Sequence, residues 1–129
     1  MLVWVMALAV QASAVEVIDD ATVRANGRVY RLYHVDVPTP GHEAYCGLER
    51  ARAADTANFI RDLLAHASVV QLRPGYNPRG RQTWPHDLSN TPLARITIDG
   101  QDLATILFAE RRAVPWQRTD AHDWCARQP

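Results

Sequence analysis

Lysine is absent from this chain. All 14 basic residues are arginine, they face 14 acidic residues, and the net charge is zero. Such a chain has no global positive field to draw in nucleic acid. Any phosphate chemistry must rest on a local cluster of guanidinium groups, whose planar forks suit oriented contacts with phosphate or carboxylate. Long apolar runs are also missing: the longest, residues 2–10, is about half of the 18–20 residues a membrane-spanning helix needs. Cysteine is scarce. Cys46 and Cys125 form no CxxC pair and show no Cys/His spacing of a zinc site. There is no internal repeat or low-complexity tract, and 129 residues leave room for one core rather than two. With 47% apolar and 22% charged residues, the composition excludes disordered and collagen-like chains.

Residues 1–14 carry no charged side chain, and their apolar run ends in Gln11-Ala12-Ser13-Ala14, an A-x-A cleavage pattern. This predicts a signal peptide over 1–14 and a single domain over 15–129, secreted or periplasmic, with no membrane span in the mature chain. The other reading of the run is a buried first strand. Export makes one Cys46–Cys125 disulfide the expectation; without export the two are separate thiols.

From Val15 onward, short β-rich runs alternate with turn signals: Val15-Glu16-Val17-Ile18, then Thr22-Val23-Arg24, then Asn26-Gly27 as a hairpin turn, then a strand over 28–36 closed by Pro38 and Pro40-Gly41. Over 48–67 the period changes. Ala53, Ala57, Ile60 and Leu64 recur at spacings of three and four, the pattern of one long helix, with Arg52, Arg61 and Asp62 left for solvent. Strands are predicted over 69–72 and 93–98, the latter ended by Asp99-Gly100, and a helix capped by Asp102 is predicted to run through Arg112. Between the last two strands, residues 73–92 form a long connection with a functional or a disordered role. The order β-β-β-α-β-β-α predicts a mainly β, α+β fold: a five-stranded barrel with a long helix after strand three and a second helix after strand five.

The segments Val17-Ile18-Asp19-Asp20-Ala21-Thr22-Val23 and Arg31-Leu32-Tyr33-His34-Val35-Asp36-Val37-Pro38, the helix after Cys46, and Pro92-Leu93-Ala94-Arg95-Ile96 through Ala113-Val114-Pro115-Trp116 resemble the staphylococcal nuclease (thermonuclease) family over residues 15–116. The resemblance implies a five-stranded OB-fold barrel and calcium-dependent cleavage of DNA and RNA phosphodiesters. Secreted relatives often place one cysteine before the long helix and another in a terminal Trp-Cys, as Cys46 and Trp124-Cys125 stand here. Chemistry of this kind needs a hard cation held by carboxylate oxygens, a base for the attacking water, and arginines to neutralise charge building on phosphorus.

The family's motifs are only partly kept. Its Asp-Gly-Asp-Thr reads Asp19-Asp20-Ala21-Thr22, so a methyl stands at a metal-ligand position. Arg31 and Asp36 match the phosphate-clamping arginine and the second metal carboxylate. Val37 takes a threonine position, and Thr39 takes that of the glutamate base, where a hydroxyl cannot collect a proton at neutral pH. The Tyr-Gly-Arg motif aligns with Asn90-Thr91-Pro92, so Thr91 replaces the second arginine. Losing a base costs about 10²–10⁴ in rate and losing a charge-stabilising arginine about 10³–10⁵. The expectation is therefore a monomeric OB module with weak or no nuclease activity, binding nucleic acid or another anionic ligand at the barrel mouth through Arg31 and Tyr33, with Arg79 and Arg81 of the long loop beside Tyr76 and Trp84. The alternative is a working calcium-dependent endonuclease with relocated groups: Asp20 and Asp36 on the metal, Glu43 as base and Arg31 on the phosphate. A transition-metal site from His34 and Asp36, read as sharing one strand face, with His42 and His86 nearby, is a further possibility. Each of these side chains also has a plain structural reading as a solvated or ion-paired group.

Overall fold

The computed structural model describes residues 9–10, 15–19, 21–74, 91–117 and 121–126. The strands are β1 (Ala9–Val10), β2 (Val15–Asp19), β3 (Thr22–Ala25), β4 (Arg28–Leu32), β5 (Val35–Asp36), β6 (Val70–Pro74), β7 (Leu93–Ile98), β8 (Gln101–Asp102) and β9 (Val114–Pro115). Helix α1 (Gly47–His66) lies between β5 and β6, and α2 (Leu103–Ala109) between β8 and β9. The fold is mixed α+β, mostly sheet, with two helices, in line with the class expected from the sequence.

The main sheet runs β1-β6-β7-β4-β3-β2, with β8 added to β7, while β5 and β9 pair separately. All pairs are antiparallel except β4 and β7, where Arg31 lies opposite Leu93 and Leu32 opposite Ala94. The β3-β4 hairpin turns on Asn26 and Gly27 at φ 53° and 75°. Both central residues at positive φ are what a turn matched to strand twist requires, and Asn-Gly supplies them at least cost. Alternation then sets the faces: Val15 and Val17 of β2, Val23 and Ala25 of β3, and Ala94, Ile96 and Ile98 of β7 are buried, with Glu16, Arg24 and Arg95 outside.

Against this sheet α1 lays Ala53, Thr56, Ala57, Ile60 and Leu64, the stripe its spacing predicts. From α2 come Leu103, Ala104 and Leu107. All of these except Ala53 and Thr56 belong to one apolar cluster that includes Leu32, Val70 and Ile96. Burying each leucine-sized side chain there is worth about 1.5–3 kcal/mol. Asp99, in the turn after β7, ties the helix-to-strand link to the sheet by accepting from Ser68 N at 2.9 Å and Val69 N at 2.8 Å.

Two expectations are corrected. The single strand over 28–36 is split: Tyr33 and His34 turn the chain, His34 at φ 64°, and β5 leaves the main sheet to pair with β9. His34 is therefore exposed while Asp36 is buried, and the two do not share a strand face. The second helix stops at Ala109 instead of reaching Arg112. Arg112 N donates to Leu107 O at 2.9 Å and Arg111 N to Phe108 O at 3.1 Å, with Arg111 at φ 56°, the double closure that ends a helix on a left-handed residue. The cap holds as expected, Asp102 Oδ2 accepting from Thr105 N at 3.2 Å. The Cys46–Cys125 disulfide is present, with Cα atoms 6.1 Å apart. Among the described residues no helix is long and apolar enough to cross a membrane.

Candidate functional site

Asp36 stands where β5 meets β9 and is almost fully buried. A carboxylate in that position needs partners, because an unpaired buried charge is very costly. Its partners come from the far end of the chain: Trp124 Nε1 donates to Oδ1 at 3.1 Å and His122 N donates to Oδ2 at 2.9 Å. Trp124 is itself buried, and the His122 ring meets it edge-on at 4.4 Å between centroids. The C-terminal segment is held at two further points. Arg52 Nη1, on α1, donates to Trp124 O at 2.6 Å and to Ala126 O at 3.0 Å, and the disulfide fixes Cys125 to the residue before the helix. Arg52, expected to face solvent, is half-buried under this strap.

The loop between β5 and α1 is organised by Glu49, which sequence reading overlooked. It is 3% exposed, and its two carboxylate oxygens accept from Thr39 N at 3.1 Å and Tyr45 N at 2.9 Å. Cys46, the helix cap, accepts from Glu49 N through Sγ at 3.3 Å. The cap resembles half of a capping box, with sulfur in the usual hydroxyl's place and Glu49 reaching past the cap to Tyr45 N and Thr39 N, and Cys46-x-x-Glu49 at a helix start was the signal that could have revealed it. Glu49→Ala is expected to cost about 1.5–3 kcal/mol, since hydrogen bonds to a charged acceptor are lost but the exposed backbone at Tyr45 recovers water. Urea unfolding with an unchanged m-value measures it.

Of the other sequence-derived site residues, Arg31 is buried in β4, and Glu43 is exposed in a short 3-10 turn, Gly41–Glu43. Ala21 is buried at φ 54° in the β2-β3 turn, its carbonyl accepting from Leu32 N at 2.9 Å. Thr91 is half-buried before β7. Asp20, Arg79, Arg81, Tyr76, Trp84 and His86, and the signal peptide apart from Ala9 and Val10, lie outside the described residues.

The donors that reach Asp36 are N–H groups, the wrong polarity for a cation cage, and a calcium ion would require six to eight oxygens. Among the described residues no group of three or more His, Cys, Asp or Glu side chains is placed to hold a metal ion. Both Asp36 oxygens are thus taken by N–H donors.

A different surface gathers around Tyr33. The Arg95 guanidinium lies over the Tyr33 ring, 5.5 Å from its centroid, and the His34 ring is 5.6 Å from it. Arg95 on β7 is directly opposite Arg73 on β6, both exposed. No protein-family model matches this chain, and no curated protein matches it.

Proposed function

We propose that the chain is a staphylococcal nuclease-like OB module that binds single-stranded nucleic acid or a comparable polyanion without cutting it. The observation that carries this reading is the commitment of both Asp36 oxygens to the chain's own C-terminal segment. The one metal carboxylate kept from the family pattern serves as an anchor for Trp124. A methyl at Ala21 and a hydroxyl at Thr39 leave no replacement ligand or base at the matching positions.

The fold side of the proposal rests on sheet order. The two ends of the main sheet, β1 and β2, are four residues apart in the chain. Without β1 the main sheet runs β6-β7-β4-β3-β2, and these five strands are taken as the OB set. Cleavage after Ala14 would remove the two β1 pairs with β6. Export into an oxidising compartment accords with the disulfide.

Binding is assigned to Tyr33, Arg95 and Arg73, an aromatic face flanked by guanidinium groups, which is how strand-tracking grooves combine base stacking with phosphate contacts. Arg79 and Arg81, which follow Arg73 in the sequence, carry the same charge. Calcium belongs only to the alternative, a nuclease using Asp20, Asp36 and Glu43.

Plasmid and RNA digestion with calcium and with EDTA, for the wild type and Arg31→Ala, tests the absence of hydrolysis. The expected result is no metal-dependent turnover in either protein, and turnover abolished by Arg31→Ala would install the alternative. In parallel, Tyr33→Ala is expected to weaken binding of a single-stranded oligonucleotide by about 1–3 kcal/mol, the worth of one base stacked on an aromatic ring. Arg73→Gln should reduce the salt slope by about 0.7. Salt-independent binding, or none, would refute the assignment.

A further inference from the structure

The C-terminal strap, residues 121–126, has no strand or helix of its own. Among the described residues, its polar and covalent ties to the rest of the chain come down to a few groups. His122 N and Trp124 Nε1 donate to Asp36, Arg52 Nη1 donates to Trp124 O and Ala126 O, and the Cys46–Cys125 disulfide closes the set. Trp124 is buried, yet it lies outside the apolar cluster that joins the sheet to both helices. The strap is thus packed on the body of the fold without being part of its core, and lifting it leaves that core whole. Ordering a segment that gains no ladder or helical hydrogen bonds costs conformational entropy. A covalent tie offsets that cost by keeping the segment beside its seat.

The bridge itself is within reach of solvent, since Cys46 and Cys125 are both half-buried. Cys46 is also the cap of the 20-residue helix α1, where its Sγ accepts from Glu49 N at 3.3 Å. A thiolate at a helix N-terminus is stabilised by that N–H and by the helix dipole, which makes Cys46 the better leaving group in thiol–disulfide exchange. The Glu49 carboxylate opposes this through its charge, but both of its oxygens are engaged by Thr39 N and Tyr45 N.

We propose that the Cys46–Cys125 disulfide is a redox latch, opened by a dithiol reductant, that seats the strap over Asp36 when closed and releases it when reduced. One thiolate of the reductant attacks Cys125 Sγ, the bond to Cys46 Sγ breaks, and Cys46 leaves as the thiolate. The second thiol of the reductant then displaces Cys125. The reductant ends as a disulfide and the protein as two thiols, two electrons and two protons having passed to it. Release frees both Asp36 oxygens and the Trp124 indole together, so one bond controls whether the carboxylate is open to a group from outside. The latch depends on the strap contacts alone and not on binding at the Tyr33 face.

Proton exchange followed by NMR on the full chain, oxidised and then reduced with dithiothreitol, tests the proposal. In the oxidised chain the His122 amide and the Trp124 indole N–H are expected to be protected. In the reduced chain both should exchange within about tenfold of the unfolded-chain rate, while the Ile60 and Ile96 amides, in α1 and β7, stay about a hundredfold or more below it. Cys125→Ser should show the reduced pattern without reductant, and no further change when reductant is added. With glutathione, a monothiol, in place of the dithiol, the acid-quenched mixed disulfide should sit on Cys125. Strap protons that stay protected once the bridge is gone, or Ile60 and Ile96 losing protection along with them, would overturn the latch. A mixed disulfide on Cys46 would overturn the order of attack.

Discussion

Cys125→Ser should lower the unfolding free energy by about 2–5 kcal/mol, a large part of the 5–15 kcal/mol typical of a folded domain. The bridge joins positions 79 apart, and closing so long a loop removes about 4–5 kcal/mol of freedom from the unfolded chain. Without it, the strap is left with Asp36, Arg52 and the packing of Trp124. Urea unfolding of the oxidised wild type and the variant gives the loss as a shift in midpoint, and Trp124 emission should move to the red as the indole reaches water. A loss below about 1 kcal/mol would show that the non-covalent contacts already fix the segment. The two cysteines are not equivalent. Cys46 also caps α1 through Sγ, so Cys46→Ala should cost about 0.5–2 kcal/mol more than Cys46→Ser, whose hydroxyl can take over the cap.

Local chemistry made much of the fold legible. The stripe Ala53, Ala57, Ile60 and Leu64 marks α1, Asn26-Gly27 marks the hairpin, and Asp102 marks the start of α2, each because the signal and the structure it dictates lie within a few residues. The failures come from distance or disguise. Tyr33 and His34 continue an apolar run without a glycine or proline, and the break there is completed by β9, about 80 residues further on. The end of α2 is hidden because Glu110, Arg111 and Arg112 are acceptable helix formers, and an arginine holds the place where glycine would have announced the stop. In the candidate site the contrast is sharper. Arg31 and Asp36 are visible through family resemblance, yet what Asp36 does is decided by Trp124, 88 positions away. A pattern match assigns a chemical group to a position; only packing assigns its partners.

Asp36 is where the anchoring and catalytic readings predict opposite signs. As an anchor it accepts one hydrogen bond from a buried indole and one from a backbone amide, each worth about 1.5–3 kcal/mol at a charged acceptor. Asp36→Ala removes both and strands the Trp124 N–H in a buried site, so a loss of about 3–5 kcal/mol is expected. Asp36→Asn is the stricter test. The amide oxygen can still accept from one donor, but its NH₂ must then face the other N–H, and donor against donor is worse than an empty place. Asn should therefore recover less than half of the loss despite its matching shape. A carboxylate kept for metal chemistry behaves differently, because functional groups of that kind are commonly held at a cost to the fold, and removing one leaves stability unchanged or raised. Unfolding midpoints for the two variants, read beside Trp124 emission, decide between the readings. A fall in stability with a red shift assigns Asp36 to the strap, and a rise with unchanged emission returns it to catalysis.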